Sequence, residues 1–539
     1  MTKKSEKRKD KEPTKSIGAM KEQIVRDIKA TEKFITIRDS GELLYFNPSD
    51  GQWYDGETYL KELTRKKSSI NFSTNLFREV RETIKVDTYI DGKSFISPPE
   101  WINLRNGALN VLTSEFIARD PEPKYDEEKK KIDDLKKERE KDEGKIKAIT
   151  PDDYQYAMDK FDRKYDPLIK EIRETIKRKE SEWKKSQTEK YAKFCFTSTI
   201  PIRYNPSATC PRIDAFFKSL ELGGDVTEGI MELFGYCLLK SYPIKKMFIF
   251  VGPHDTGKST VATLLEEFLG EGNYSGLSLD AMMEDRFEKY KLYRMLANIS
   301  GELAPRFIRD TSLLKELMGW DIISVRLMHS QLRFMFRNYA KLIFLANQIP
   351  ATYETDDAFY PKVQIFEFVK QFKEGEEGTR SKEELMADIT TEQEMSGLLN
   401  KAVRALQELL KRGKFKSTKS EMENKELYLI KSNPLKYYIE HSLGFSKEID
   451  GVDDPDGNIF KTTKQEVYDN FRLFCKHYKV PVLTTNIFFG ELNKCLLNRG
   501  IPTTRRDETG RGYYPYLYLE DLFTDTENID SNSDSDDPT

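Results

Sequence analysis

The stretch Lys246–Val251, KMFIFV, runs directly into Gly252–Thr260, GPHDTGKST, and the rest of the chain is arranged around this junction. The apolar run predicts a buried strand. The second part has the spacing G-x-x-x-x-G-K-[ST], in which the glycines let backbone N–H groups curl around a phosphate. Apolar residues at helical spacing follow, so the phosphate would also lie at a helix N-terminus, which favours an anion. The junction therefore predicts a strand, a phosphate-binding loop and a helix that ends at Gly270.

Two side chains of this loop have specific expected roles. Lys258 can reach the β- and γ-phosphates of a nucleotide, and the Ser259 hydroxyl can ligate Mg²⁺. The candidate nucleotide-binding residues are Gly252, Pro253, His254, Asp255, Thr256, Gly257, Lys258, Ser259 and Thr260.

The length and composition limit the class of protein. At 539 residues the chain predicts three to four domains. Lys and Arg total 88 against 91 Asp and Glu, so nucleic-acid affinity must come from local patches. The five cysteines lie far apart, which argues against a zinc site or a disulfide framework and favours a reducing cytosol. No apolar run is long enough to span a bilayer and no signal peptide is evident, so we expect a soluble, cytoplasmic protein with no membrane partner.

The chain before the loop divides into four predicted regions. The first is a disordered basic tail, and the second is an α+β domain with a β-meander from Phe34 to Tyr54 and a hairpin that turns at Asn106-Gly107. A Lys-, Glu- and Asp-rich pair of antiparallel helices follows, as either an interaction arm or a solvated charged helix pair without a partner. A helical lead-in then reaches the loop. The expected boundaries are 1–30, 31–123, 124–190 and 191–240.

Two strands after the loop end in side chains suited to nucleotide hydrolysis. Leu296–Leu303 predicts a short strand in which Glu302 is the candidate general base and lies beside Mg²⁺. Gly301 occupies the place of the usual preceding acid, which leaves Mg²⁺ to Ser259, Glu302 and water. Ala340–Asn347 predicts a buried strand whose final amide, on Asn347, can orient the hydrolytic water or the γ-phosphate. The alternative is that Asn347 is an ordinary strand-end turn residue.

Between these strands, cationic and apolar side chains alternate around a polar tip. This pattern predicts a hairpin that is presented to a phosphodiester backbone. The candidate DNA contacts in it are Arg326, His329 and Arg333.

Together these segments resemble the superfamily 3 helicases, specifically the helicase half of primase-helicases of phages, plasmids and large DNA viruses, including the poxvirus enzyme. The likeness covers roughly residues 34–120 and 191–520. It rests on the phosphate loop, Glu302-Leu303, Lys315…Gly319-x-Asp321, Ala340-Lys341…Asn347-x-x-Pro350, the lead-in Tyr204-Asn205-Pro206-x-Ala208-x-Cys210-Pro211 and the later Glu394-x-Ser396-Gly397-x-Leu399-Asn400.

The resemblance implies an α/β fold with an AAA+-like P-loop core over residues 241–380. It also implies a hexameric homo-oligomer that moves 3′ to 5′ along single-stranded and forked DNA and hydrolyses ATP at subunit interfaces, with ATP and Mg²⁺ as cofactors. Relatives place an arginine finger where this chain has Lys362, so Lys362 is the candidate trans-acting cation. Fewer than 35 residues precede the meander, so we expect that any primase is a separate protein.

The region after the core predicts a helical lid, a linker and a winged-helix domain. Thr391-x-x-Glu394 predicts a capping box that opens the lid helix. Two helices and a basic, aromatic hairpin then give a winged-helix layout, with protein docking as the alternative to DNA binding. The expected boundaries are 381–413 for the lid, 414–425 for the linker, 426–520 for the winged helix and 521–539 for an acidic disordered tail, and the candidate DNA contacts are Lys494, Arg499, Arg505 and Arg506.

Three functions compete at this stage. The first is an ATP-dependent replicative helicase of a virus, plasmid or integrated element. The second is a non-translocating P-loop ATPase that acts as a DNA-loading or packaging switch. A small-molecule kinase or GTPase is disfavoured, because no N-K-x-D-like base reader follows Asn347.

Overall fold

The structure is a computed structural model that combines helices with parallel and antiparallel sheets. It describes residues 17–68, 72–145, 151–284, 287–301, 303, 311–326, 333–350, 359–372, 380–416, 419–445, 448–449, 452–453, 461–499, 503–506 and 510–520.

The N-terminal region is a four-stranded sheet, in the order β3-β2-β1-β4, with helices packed on it. The strands of the predicted meander are present, and each pairs antiparallel with the next. The elements are α1 (Ile17–Thr31), β1 (Phe34–Ile37), β2 (Leu43–Asn47), β3 (Gln52–Asp55), α2 (Glu57–Ser68), α3 (Thr74–Asp87) and β4 (Tyr89–Ile90).

The prediction that residues 1–30 are disordered is wrong from residue 17 onward. That segment forms α1, whose Ile24, Val25 and Ile28 are buried in one cluster with Leu76 and Val80 of α3. These apolar side chains lie on one helical face, so their burial stabilises a helix in a segment for which the sequence analysis expects no regular structure. Residues 1–16 lie outside the described part of the chain.

A second small sheet and a long helical pair follow. The predicted hairpin is present, but it turns one residue earlier than expected, at Arg105 and Asn106, because Leu104 is paired with Gly107, the first residue of the second strand. The two helices run antiparallel, because Glu128 pairs with Lys179 while Arg139 pairs with Asp162. The charged pair of helices is therefore present. The elements are β5 (Trp101–Leu104), β6 (Gly107–Asn110), β7 (Phe116–Ala118), α4 (Asp126–Glu143) and α5 (Pro151–Tyr191).

The largest buried cluster surrounds a five-stranded parallel sheet in the order β14-β8-β13-β10-β9. The strand predicted from KMFIFV is β8, and its neighbours are β13 and β14. An antiparallel hairpin, β11 with β12, lies between β10 and β13 in the chain. The elements are α6 (Pro211–Ser219), α7 (Gly224–Leu238), β8 (Met247–Val251), α8 (Lys258–Leu269), β9 (Tyr274–Ser275), α9 (Leu279–Glu284), β10 (Ala297–Ser300), α10 (Ser312–Met318), β11 (Ile322–Arg326), β12 (Arg333–Arg337), β13 (Lys341–Ala346) and β14 (Val363–Glu367).

Two helices, α11 (Lys382–Ile389) and α12 (Glu392–Arg412), follow the sheet. The Thr391 side chain accepts a hydrogen bond from the Glu394 amide, as a cap should. The reciprocal half of the predicted capping box is replaced, because the Glu394 carboxylate accepts hydrogen bonds from the Arg212 and Ile213 amides at the start of α6. Glu394 therefore caps a second helix, where its negative charge is favoured by the helix dipole.

The two sequence segments on either side of the core bind each other. The Asn205 backbone N–H donates to Ser396 Oγ at 2.9 Å. The side-chain Nδ2 of Asn400 donates to the backbone carbonyls of Asn205 and Ala208 at 2.8 and 3.0 Å. We call residues 205–213 together with residues 394–400 the clasp. The clasp joins α6 to α12, and the motifs that support the resemblance in these segments are thus structural contacts.

The C-terminal region has its own core, which is built around Tyr438, Phe471 and Phe488. The expected linker 414–425 is helical from Glu421 onward, so that prediction is wrong there. The elements are α13 (Glu421–Ser432), α14 (Pro434–His441), β15 (Leu443–Phe445), β16 (Glu448–Ile449), β17 (Val452–Asp453), β18 (Lys461–Thr463), α15 (Lys464–His477), α16 (Thr485–Asn498), β19 (Arg505–Arg506), β20 (Gly512–Pro515) and β21 (Leu517–Leu519). Among the described helices, none is long and apolar enough to cross a membrane.

Candidate functional site

The loop after β8 lies at the carboxyl ends of the parallel strands. The Gly252 amide donates to the Ala346 carbonyl, and the Phe368 amide donates to the Val251 carbonyl, so the loop begins between the ends of β13 and β14. A Cβ atom on Gly252 would lie 2.0 Å from the Phe368 carbonyl oxygen. This close backbone approach explains the glycine at the first position of the loop.

The turn of the loop requires left-handed backbone conformations. Asp255 has a φ of 58° and Gly257 a φ of 84°. The Thr256 hydroxyl donates to the Pro253 carbonyl at 3.0 Å and thereby closes the turn. The helix α8 starts at Lys258, and its first amides point into the loop without intrahelical acceptors. Those amides and the helix dipole can both stabilise an anion held in the loop.

Lys258 is folded back into the loop. The residue is 7% exposed, and its amine donates to the Gly252 carbonyl at 2.7 Å, to Thr256 Oγ1 at 3.2 Å and to the Pro253 carbonyl. Burial lowers the pKa of the Lys258 amine, and the nearby Asp255 carboxylate opposes that shift. A negatively charged ligand would stabilise the ammonium form in the same way.

Asn347 lies directly beside the loop. It follows β13, whose Ala346 is paired with Val251 of β8. Its Nδ2 atom lies 3.3 Å from Nε2 of His254, and both residues are exposed. The structure thus places Lys258, His254 and Asn347 at the carboxyl ends of the same two strands, β8 and β13, as expected if all three act on one ligand.

The predicted metal ligands are only partly described. Ser259 is exposed on the first turn of α8, next to Lys258. The strand β10 ends at Ser300, and Glu302 lies outside the described residues. Within the described ranges no group of three His, Cys, Asp or Glu side chains could hold a metal ion. A Mg²⁺ ion at this edge would therefore depend on Ser259, on the nucleotide's own phosphates and on Glu302.

Lys362 lies at the other end of the strands, beside their amino ends. It precedes β14, in which Val363 is paired with Met247 and Glu367 with Val251. Five strand residues at about 3.3 Å each separate it from the loop, or about 16 Å. Lys362 therefore does not reach the loop of its own chain.

The helix α13 holds the Lys362 turn in place, and the sequence analysis missed it. Asn424 is buried, and its side-chain amide donates to the carbonyls of Tyr360 and Val363 at 2.5 and 2.7 Å. At the other end of α13, Lys431 pairs with Glu367 at 2.7 Å. The signal that could have revealed α13 is the S-x-x-E capping box at its start, which the structure contains.

The candidate DNA contacts fall on two separate surfaces. Arg326 and Arg333 are paired backbone neighbours at the end of the β11–β12 hairpin, and His329 lies outside the described residues. In the C-terminal region, Arg505 and Arg506 are exposed on β19, while the Arg499 guanidinium lies 5.1 Å from the centre of the Phe445 ring.

The exposed face of α16 is less basic than expected. Lys494 is paired with Glu491 at 3.7 Å. Ile487 and Leu497 are 54% and 65% exposed, and their helical spacing places them on the same face as Lys494. An apolar face of this kind suits contact with a protein better than contact with a phosphodiester backbone.

Comparison with known proteins gives one partial family match. Residues 250–358 match a model described as a family of unknown function, DUF5906. No curated protein matches. An A-form apo structure of the NrS-1 C-terminal region has 14% identity and a TM-score of 0.31, covering 59% of this chain and 78% of that one. A further apo structure of the same region has 15% identity and a TM-score of 0.28, covering 59% and 85%. Likenesses of this size assign no function.

Proposed function

We propose that the chain is an ATP-driven DNA helicase of the superfamily 3 type, with an AAA+-like P-loop core that hydrolyses MgATP in the loop after β8. The observation that carries the proposal is the contact between His254 and Asn347 where β8 and β13 end side by side, next to the loop into which Lys258 is folded. The connection after β8 leads to β9, the outermost strand on one side of the sheet. The connection after β13 leads past β8 to β14, the outermost strand on the other side. Ligands of open parallel sheets bind where such connections diverge.

The residues of the loop fit a nucleotide triphosphate. Gly252 allows close approach of the backbone, the first turn of α8 offers amides, and Lys258 offers a cation. In this role the Lys258 amine leaves the loop carbonyls and binds the β- and γ-phosphates. Ser259 would then lie next to the phosphate oxygens, where its hydroxyl ligates Mg²⁺, which supplies charge neutralisation when it is bound.

Glu302→Gln should bind ATP but hydrolyse it at least about 100-fold more slowly, because an amide cannot accept the proton of the attacking water. The strand β10, after which Glu302 follows in the sequence, is paired with β13, and Asn347 follows β13. The measurement is single-turnover phosphate release beside equilibrium ATP binding. Turnover close to that of the parent protein would show that another carboxylate is the base.

Lys362→Ala should bind ATP and assemble normally yet lose most of its turnover, about 100-fold or more, because it removes the cation that stabilises the transferred phosphoryl group. Because Lys362 lies far from the loop of its own chain, this role requires that it act on the site of a neighbouring subunit. Lys362→Arg should retain or raise turnover, since arginine offers a two-pronged donor set. Steady-state ATPase rates with sedimentation of the oligomer measure both effects.

The control for Lys362 is Lys425→Ala, which should retain parent-like turnover. Lys425 lies on the helix α13, and its amine is 5.6 Å from the centre of the Tyr360 ring. Mixing Lys362→Ala with Glu302→Gln subunits should restore part of the activity, because some interfaces then combine both intact residues. Parent-like turnover in Lys362→Ala would make Arg337 the next candidate, or would exclude catalysis at subunit interfaces.

We infer that single-stranded DNA contacts the β11–β12 hairpin through Arg326, His329 and Arg333. In the C-terminal region, Arg499, Arg505 and Arg506 are the candidates for duplex DNA in a winged-helix domain, together with Lys494. The exposed Ile487 and Leu497 favour a protein partner for α16 instead, and a separate primase or other replication protein is the partner that the resemblance suggests.

A non-translocating ATPase switch is the second candidate function. It shares the nucleotide site, and it differs in that DNA would gate assembly rather than drive continuous turnover. The distinguishing experiment is steady-state ATPase with increasing single-stranded DNA, with protein held above its assembly concentration. A translocating motor gives turnover that rises several-fold and then saturates with DNA length, whereas a switch gives turnover that does not depend on length.

A further inference from the structure

We propose that His254 is a positioning residue for ATP hydrolysis, whose imidazole holds and orients the Asn347 amide beside the γ-phosphate. The proposal rests on the function proposed above and assigns a role to a loop side chain that the phosphate-loop spacing leaves unspecified. It depends on the contact between His254 Nε2 and Asn347 Nδ2, which are 3.3 Å apart.

The backbone on each side of this contact is fixed. On one side, Ala346 is held in the sheet by its pairing with Val251, and its carbonyl accepts a hydrogen bond from the Gly252 backbone N–H. On the other side, the His254 carbonyl accepts a hydrogen bond from Gln371 Nε2 at 3.3 Å, and the Asp255 carbonyl accepts the Phe372 amide at 2.8 Å. The imidazole therefore projects from a tethered turn, and the contact does not depend on a freely moving loop.

The chemistry of the pair explains what the contact achieves. An Asn amide has a donor end and an acceptor end, and the terminal torsion of an exposed Asn is broad. A ring nitrogen that accepts from the NH₂ group selects one of the two orientations and directs the carbonyl oxygen away from the ring. That oxygen is then available to accept a hydrogen bond from the attacking water, whose proton passes to Glu302. Without His254, Asn347 would spend part of its time with the wrong end facing the reacting groups.

The test compares three substitutions of His254 that differ in reach. The amide oxygen of Gln can accept the same hydrogen bond and lies as many bonds from Cα as Nε2 of His, whereas the amide oxygen of Asn lies one carbon nearer to the backbone. We expect His254→Ala and His254→Asn to lower kcat about fivefold to tenfold, the size expected for one lost hydrogen bond. His254→Gln should remain within about twofold of the parent protein. KM for ATP should change little in all three, because the phosphates are held by Lys258 and the backbone.

A double-mutant cycle then shows whether His254 acts through Asn347. In an Asn347→Ala background, His254→Ala should change kcat by less than about twofold, because the group that it orients is gone. Thermal unfolding should be unchanged in every variant, since both side chains are exposed.

The outcomes separate the possible failures. Equal effects of Asn and Gln at position 254, full additivity with Asn347→Ala, or no loss of kcat in His254→Ala would each overturn the positioning role while leaving ATP hydrolysis intact. A parent protein without Lys258-dependent ATP turnover would overturn the proposed function, and the role of His254 with it.

Discussion

Lys258→Ala should reduce ATP turnover by about 10²- to 10³-fold or more, the loss expected when a preorganised charge at the reacting phosphate is removed. Among the described residues, its amine donates hydrogen bonds to the Gly252 and Pro253 carbonyls and to the Thr256 hydroxyl, all within the loop. The substitution therefore removes a group that is poised for a phosphate without removing a contact between elements of the fold. Phosphate release under saturating MgATP measures the effect.

The matched control for Lys258 is Lys245→Ala. Lys245 is exposed and lies just before the amino end of β8, whereas the loop follows the carboxyl end of this strand. We expect it to retain parent-like turnover, and we expect both variants to unfold at the same temperature as the parent. A Lys258→Ala protein that hydrolyses ATP within about threefold of the parent rate would contradict the assignment of the loop as the catalytic nucleotide site.

Gly397→Ala should be the most destabilising of these substitutions, lowering the free energy of unfolding by about 3 kcal/mol, the upper range for overpacking. A Cβ atom there would lie 2.2 Å from the Thr209 carbonyl carbon and 2.6 Å from the Cys210 nitrogen, whereas carbon atoms prefer separations of about 3.5–4.0 Å. These are backbone atoms of the clasp, whose neighbouring residues Asn205 and Ala208 are hydrogen-bonded to Ser396 and Asn400, so they cannot move aside at low cost. Chemical denaturation, followed by a probe in the core, measures the change.

Gly490→Ala provides the control for Gly397→Ala. Gly490 also lies inside a helix, but nothing lies within 4 Å of its added Cβ. The substitution should stabilise the C-terminal region by about 0.5–1 kcal/mol, because alanine favours the helix. If the two substitutions shift stability equally, the close approach in the clasp does not limit the fold.

The sequence predicts the surroundings of the loop well, because local rules determine them. The strand β8, the helix α8 and its end at Gly270 follow from apolar periodicity and glycine chemistry. Asn347 could be predicted to meet the loop, since a buried strand that ends in a polar residue belongs at the same edge of a parallel sheet. The contact with His254 could not, because it depends on which strands are neighbours.

The failures have physical reasons of the same kind. Residues 17–30 are expected to belong to the disordered tail, yet burial of Ile24 and Ile28 against α3 stabilises the helix α1 there. Glu394 satisfies a local capping pattern, but its carboxylate caps α6, about 180 residues earlier in the chain. The start of α13 falls within the expected polar linker, although Asn424 is buried against the turn that carries Lys362. Each case is decided by a partner that is distant in sequence.

The most direct test of the central claim, that ATP hydrolysis at the loop drives movement along DNA, is strand displacement from a duplex with a 3′ single-stranded tail. The account predicts that the parent protein, with MgATP, displaces the strand from a 3′-tailed duplex and not from a 5′-tailed one, and that Lys258→Ala displaces neither. ATP hydrolysis by the parent without displacement on either substrate would contradict the account and leave the chain as a switch.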